Sequence, residues 1–417
     1  MNTFTVIFLI ALTASFAVQF WLSNRQKKYV LTHRAEVPEA FQNKVSLTDH
    51  QKAADYTIEK GRLGEIDGII GVIVLLAMTL GGGISLAFDF WNSFAFSPLL
   101  TGVAAIATVF LVISLLELPS SIYQTFVIEE KYGFNKNTPL QYIKDHLIQL
   151  ALAIAIGLPL LALMLWFMDS IGTFWWLWAW ATLMAFSLLM SWLFPTLIAP
   201  LFNKFTPLED GALKDRIQQL LSRCGFNSQG IFIMDGSRRS GHGNAYFTGL
   251  GNNKRIVFFD TLVESLDDAE LEAVLAHELG HFKCKHVIKM LLASSVMTLI
   301  SFAILGWLMN QPWFYSGLGV AEPSHAAALL LFLLVSPVFT VFMQPISAYF
   351  QRKFEFEADD FAANHSDATQ LITGLVKLYK ENASTLTPDP VYSAFHYSHP
   401  PAAIRIAHLE SRMHAQA

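Results

Sequence analysis

Leu271-Glu272-Ala273-Val274-Leu275-Ala276-His277-Glu278-Leu279-Gly280-His281-Phe282-Lys283 leads directly into the apolar stretch 291–309, and this joining of a two-histidine helix to a membrane-length segment decides the fold. Apolar positions recur at helical spacing through Leu271, Val274 and Leu275. His277 and His281 lie four apart on such a helix, so both imidazoles project from one face and can share one Zn2+. Glu278 is displaced around the helix, within reach of a metal-bound water without being a ligand. Zinc lowers the pKa of that water to about 7, and a carboxylate takes its proton during attack on a carbonyl. Ser265-Leu266-Asp267-Asp268 predicts the helix start, with Ser265 as N-cap and acids in the first turn. The bland alternative is a pair of surface histidines. The apolar residues before them weigh against it.

Two histidines leave zinc short of the three protein ligands of a catalytic site. The third is sought in Phe354-Glu355-Phe356-Glu357-Ala358-Asp359, which reads as a helix following the last apolar stretch. Glu355 and Asp359 lie four apart on one face. One could bind the metal while the other accepts a hydrogen bond from a ligand histidine. His286, five residues past His281, is expected on another helix face and is left out of the ligand set, and His242 is unassigned.

Working outward, 53% of the 417 residues are hydrophobic and 15% are charged, against about a quarter in soluble proteins. With 34 Phe and 10 Trp, this composition makes lipid part of the solvent. Seven stretches are long enough to cross a bilayer: 3–22, 69–88, 99–116, 147–168, 174–198, 291–309 and 326–350. Trp175, Trp176, Trp178 and Trp180 suit a headgroup belt, and Pro195, Pro337 and Pro345 predict kinks or breaks. Net charge is −5 with no long basic run, which argues against nucleic acid. Cys224 and Cys284 have no metal-type spacing and read as free thiols.

Loop charge alternates. The segment after the first span carries Arg25, Lys27, Lys28 and Arg34, and the one at Lys131, Lys136 and Lys144 is basic again. The loops 89–98, 169–173 and 310–325 hold no Lys or Arg. The positive-inside rule then puts the 199–290 segment and the tail in the cytoplasm and the N-terminus outside. Spans six and seven form an antiparallel hairpin, so His281 and Glu355 emerge on the same side.

The expected organisation is 1–200, transmembrane helices one to five with their loops; 201–290, a cytoplasmic catalytic segment; 291–350, helices six and seven; and 351–417, a cytoplasmic tail completing the zinc site. Residues 213–221 predict an amphipathic helix, and 231–234 and 255–259 predict short strands.

Taken together, the stretches 125–135, 198–208, 236–240 with 244–247, 277–281, 354–359 and 397–401 make the chain resemble the type I CAAX prenyl endopeptidases nearly end to end. The resemblance implies an all-α integral membrane protein of seven transmembrane helices, with a cytoplasmic zincin-like metalloprotease domain containing a small β-sheet. It implies that His277, His281 and Glu355 hold one zinc, that Glu278 is the general base and that His399 steadies the oxyanion. It also implies that Asp359 and Arg405 stand behind the ligands, and that Asn244 and Ala245 lie on an edge strand pairing with an extended peptide. A large chamber facing the cytoplasm is implied as well. Read without the family, Asn244 is a turn residue and Arg405 a surface charge.

The tail ends Met413-His414-Ala415-Gln416-Ala417 without a retrieval signal, which points to a bacterial inner membrane. The substrate is then a peptide or membrane protein, prenylated or not. Two alternatives stay open: a quality-control metalloprotease of broad specificity, and a transporter or scaffold with structural zinc.

Overall fold

The computed structural model describes residues 2–226, 228, 230–248 and 255–416. Among the described residues, six helices are long and apolar enough to cross a membrane: Thr3–Thr32, Pro98–Glu129, Pro139–Ser170, Trp175–Phe202, His286–Leu308 and His325–His365. The pair Leu47–Met78 and Gly83–Asn92, bent by 49°, makes a seventh when taken together as one broken span. The stretch 69–88 is therefore not one straight span. Gly81-Gly82-Gly83 breaks it, with Gly82 at φ 82°, a backbone that side chains disfavour. Pro195 lies in a π-helical turn, Phe194–Ile198, within a helix that continues to Phe202, and a break follows Pro337. The last crossing passes Pro337, tightens into a turn at Val341–Met343 and restarts with Pro345 in the first turn of Gln344–His365.

Large apolar side chains face outward along these helices, as at Ile73, Leu86, Val296 and Leu292, all more than half exposed. A soluble monomer would not leave so many uncovered; here the covering phase is lipid. Inward-facing residues such as Phe8, Ile106, Leu305 and Leu330 form one apolar core among the crossings.

At one end of the bundle, the loops low in basic charge gather around the N-terminus. Asn2 donates to the Trp313 carbonyl at 2.8 Å, and His325 Nδ1 lies 3.3 Å from Asp169. A second apolar core belongs to the other end. Phe41 and Val45 from the first connecting segment pack there with Ile217, Phe258, Leu271, Leu371 and Ile406.

The sheet in that core has four strands, β1 (Phe205–Pro207), β2 (Gly230–Met234), β3 (Ala245–Thr248) and β4 (Arg255–Phe259), in the order β1-β2-β4-β3. β2 and β4 are parallel, and β1 and β3 pair antiparallel at the two ends. The two strands expected from the sequence are the central ones; the outer two are too short for an alternation to register. The amphipathic helix is Ala212–Arg223.

The metal helix is Asp268–Lys283. Its N-cap is Asp267, not Ser265: the Asp267 carboxylate accepts from the Ala269 and Glu270 amides, and Glu270 accepts in return from the Asp267 amide. Ser265 instead closes a separate short helix, Asp260–Ser265. The reciprocal cap satisfies amides that a helix start otherwise leaves unpaired.

Candidate active site

The metal helix lies against Gln344–His365, and a glycine sets how closely. A Cβ on Gly280 would meet Ala358 Cα at 2.9 Å and the Ala358 carbonyl at 3.0 Å. Small residues on both helices thus let the backbones approach and bring Glu355 over the two histidines.

His281 Nε2 lies 3.2 Å from His277 Nε2 and 3.2 Å from Glu355 Oε1, and His277 Nε2 lies 3.5 Å from Glu355 Oε2. Ligand atoms about 2.0–2.1 Å from a tetrahedral zinc are separated by roughly 3.3–3.4 Å, so these separations match those among ligands of one zinc, with Glu355 meeting the two rings through different oxygens. Glu355 Oε2 is buried and makes no hydrogen bond. A buried carboxylate oxygen without a hydrogen bond is costly; the Arg405 guanidinium at 3.6 Å offsets part of its charge, and a cation shared with the two histidines would satisfy it directly. The donor set and its spacing therefore fit zinc. No fourth protein atom joins this trio among the described residues, which fits an open catalytic site better than a closed structural one.

Behind the triangle, His277 Nδ1 is 2.8 Å from Asp359 Oδ1, so it donates its proton there and leaves Nε2 for a metal. Asp359 also receives Arg405 through both oxygens, at 2.6 and 2.9 Å, and the Arg405 guanidinium lies 3.6 Å from Glu355. All of these side chains are buried. Packing around Glu278 raises its carboxyl above its ordinary value, with His277 and His281 pulling it partly back. Such a carboxylate holds a proton better than a solvated one. His399 Nε2 is 3.4 Å from Glu355 Oε1 on a side chain that remains largely exposed.

Asn244 and Ala245 sit where β3 begins, at the end of the sheet. The Asn244 carbonyl accepts from the Phe259 amide, and Ala245 is in register with Phe258. Asn382, which the sequence did not single out, pairs with the main chain one residue earlier. It accepts from the Gly243 amide at 3.0 Å and donates to the Gly243 carbonyl at 3.3 Å, as a neighbouring strand would. A cavity of about 980 Å³ opens beside this edge, bounded by Phe16, Gln26, Gly64, Glu65, Asn244 and Tyr397.

One expectation about the site is overturned. His286 does not continue the metal helix on another face: the helix ends at Lys283, Lys285 takes a left-handed φ of 58°, and His286 begins the next crossing. This reversal carries His286 back to within 3.0 Å of His281.

Comparison with known proteins places the chain in a family. Residues 26–204 match the family described as CAAX prenyl protease N-terminal, five membrane helices, and residues 207–413 match peptidase family M48. A CAAX prenyl protease 1 homolog of Dictyostelium discoideum is 35% identical over 94% of both chains. The Homo sapiens CAAX prenyl protease 1 homolog is 30% identical, over 97% of this chain and 95% of its own length. The chain belongs to the CAAX prenyl protease family. The crystal structure of S. mikatae Ste24p superposes with a TM-score of 0.91 at 32% identity, covering 98% of this chain and 99% of that one. As a CAAX prenyl protease relative with M48 character, the protein is a multi-pass membrane metalloprotease of a zinc-dependent type.

Proposed function

We propose that the chain is a zinc endopeptidase in which His277, His281 and Glu355 hold one Zn2+, and that it cleaves peptides of the CAAX type. The observation that carries this reading is the buried Glu355 carboxylate set against two imidazole nitrogens at tetrahedral spacing, Oε1 by His281 and Oε2, which makes no hydrogen bond, by His277. When bound, zinc supplies Lewis acidity, acidifying water and polarising the scissile carbonyl. Glu278 accepts the attacking water's proton on its carboxylate and returns it to the leaving nitrogen. His399 donates from its ring to the oxyanion that develops on the carbonyl. Asp359, braced by Arg405, holds the His277 ring in the orientation that presents Nε2. The free edge of β3 at Asn244 and Ala245 aligns the substrate as an added strand, and the neighbouring cavity receives the remainder of it. The alternation of basic and non-basic loops supports an active site facing the cytoplasm with the N-terminus outside.

The test is cleavage of a farnesylated CAAX peptide beside its unprenylated twin and an unfolded protein. Glu278→Gln should keep one zinc per chain and lose about 100-fold or more in turnover. Undiminished cleavage by that variant refutes the assignment of Glu278. A preference for the unfolded protein would favour the quality-control reading over the CAAX one.

A further inference from the structure

His281 Nδ1 and His286 Nδ1 face each other at 3.0 Å, and His286 Nε2 lies 2.9 Å from Glu357 Oε2. Two ring nitrogens at that distance must share one proton. Lys289 lies 3.4 Å from the same Glu357 oxygen, and the Phe354 ring stacks on His286 with centroids 4.3 Å apart. His286 is fully buried, so its two nitrogens have fixed partners.

The protons follow from these partners. Glu357 is an acceptor, so His286 donates to it from Nε2. A neutral His286 then carries a lone pair on Nδ1, and His281 donates to it from its own Nδ1. His281 is left with its Nε2 lone pair directed at His277 and Glu355. The resting tautomer of a free imidazole does not ensure this; the chain Glu357–His286–His281 does. We propose that His286 and Glu357 are positioning residues for the metal, locking His281 in its ligating tautomer as Asp359 locks His277. This rests on the proposed zinc site. It adds a pair of residues to that site that reach the metal only through His281.

Cys284, His286 and Glu357 also lie within 4.8 Å of one another in their ligand atoms, which suggests a second metal site. The same proton count opposes it. A metal on His286 Nε2 would force the His286 proton onto Nδ1, facing His281. His281 would then carry its proton on Nε2 and could not bind the first metal. The two occupancies exclude each other, and the triangle at Glu355 has the better spacing.

Zinc affinity, measured by chelator competition on the purified full chain, tests this without relying on turnover. His286→Leu keeps bulk but offers no acceptor, and should weaken zinc by about 10–100-fold. His286→Asn places an amide oxygen near the former Nδ1 and should recover most of that loss. Glu357→Ala should weaken zinc while Glu357→Gln, which still accepts, should stay within a few-fold of wild type. Cobalt-substituted spectra should shift in His286→Leu and not in His286→Asn. Wild-type affinity in both His286→Leu and Glu357→Ala would overturn the proposal. So would equal losses in His286→Leu and His286→Asn, or a second zinc per chain that Cys284→Ser removes. If His286→Leu fails to fold, the Asn and Glu357 variants decide the matter.

Discussion

Asp359 accepts from His277 and from both arms of Arg405 inside a buried site. Asp359→Asn keeps the shape and removes the charge, leaving the Arg405 guanidinium buried without its main counter-ion. Zinc affinity should fall by about 10–100-fold, and thermal stability should drop in the zinc-free protein too, since breaking a buried pair costs about 3–5 kcal/mol. Chelator competition and thermal unfolding check the two effects separately; an unchanged affinity would show that His277 needs no anion behind it. The spacing of His277 and His281, and the four-residue step from Glu355 to Asp359, were legible because helical periodicity alone puts each pair on one face. His286 was not. Its position depends on the left-handed Lys285, and a lysine gives no local signal for a break that glycine would have announced.

At the scale of elements, the site depends on two helices approaching closely and on one of them starting at the right residue. Gly280→Val would drive a branched side chain into Ala358, pushing Glu355 away from the histidines. Zinc stoichiometry should fall well below one per chain, with an overpacking cost of about 1–3 kcal/mol; a full complement of zinc would contradict the close approach as its cause. Asp267→Ala removes the reciprocal cap and should cost about 1 kcal/mol in thermal stability, whereas Ser265→Ala should cost less because Ser265 caps nothing on this helix. The cap was misplaced by two residues in the sequence reading because serine precedes the pattern Asp267-x-x-Glu270, which held the actual signal. The bend in the second crossing was written in Gly81-Gly82-Gly83, but a hydropathy window averages over it. β1 and β3 escaped because strands of three or four residues hardly establish alternation.

Across the whole molecule, beside a smaller cluster at Ala53, Tyr56, Ile128, Tyr132, Phe134 and Ala383, two large apolar cores lie one among the crossings and one around the sheet and the metal helix. The hairpin of His286–Leu308 and His325–His365 joins them, and it closes the gap in sequence between His281 and Glu355 through the membrane. The charge alternation of the loops predicts sidedness. In a Cys224→Ser, Cys284→Ser background, a cysteine at Ser93 should react with an impermeant thiol reagent added outside intact cells. One at Glu410 should react only after the membrane is opened. The reverse pattern would invert the proposed orientation and leave the site geometry intact. Hydropathy was sufficient to find the apolar crossings, because lipid imposes its own length rule, and the loop charges supply the proposed orientation. The cavity beside β3 was out of reach of such rules, since it depends on how the first two helices splay around it.

The most direct test is anomalous diffraction at the zinc edge from crystals of the zinc-loaded chain. One peak is predicted, about 2.0–2.1 Å from His277 Nε2, His281 Nε2 and a Glu355 oxygen. A peak at Cys284 and Glu357 instead, or none within the triangle of His277, His281 and Glu355, would contradict the account.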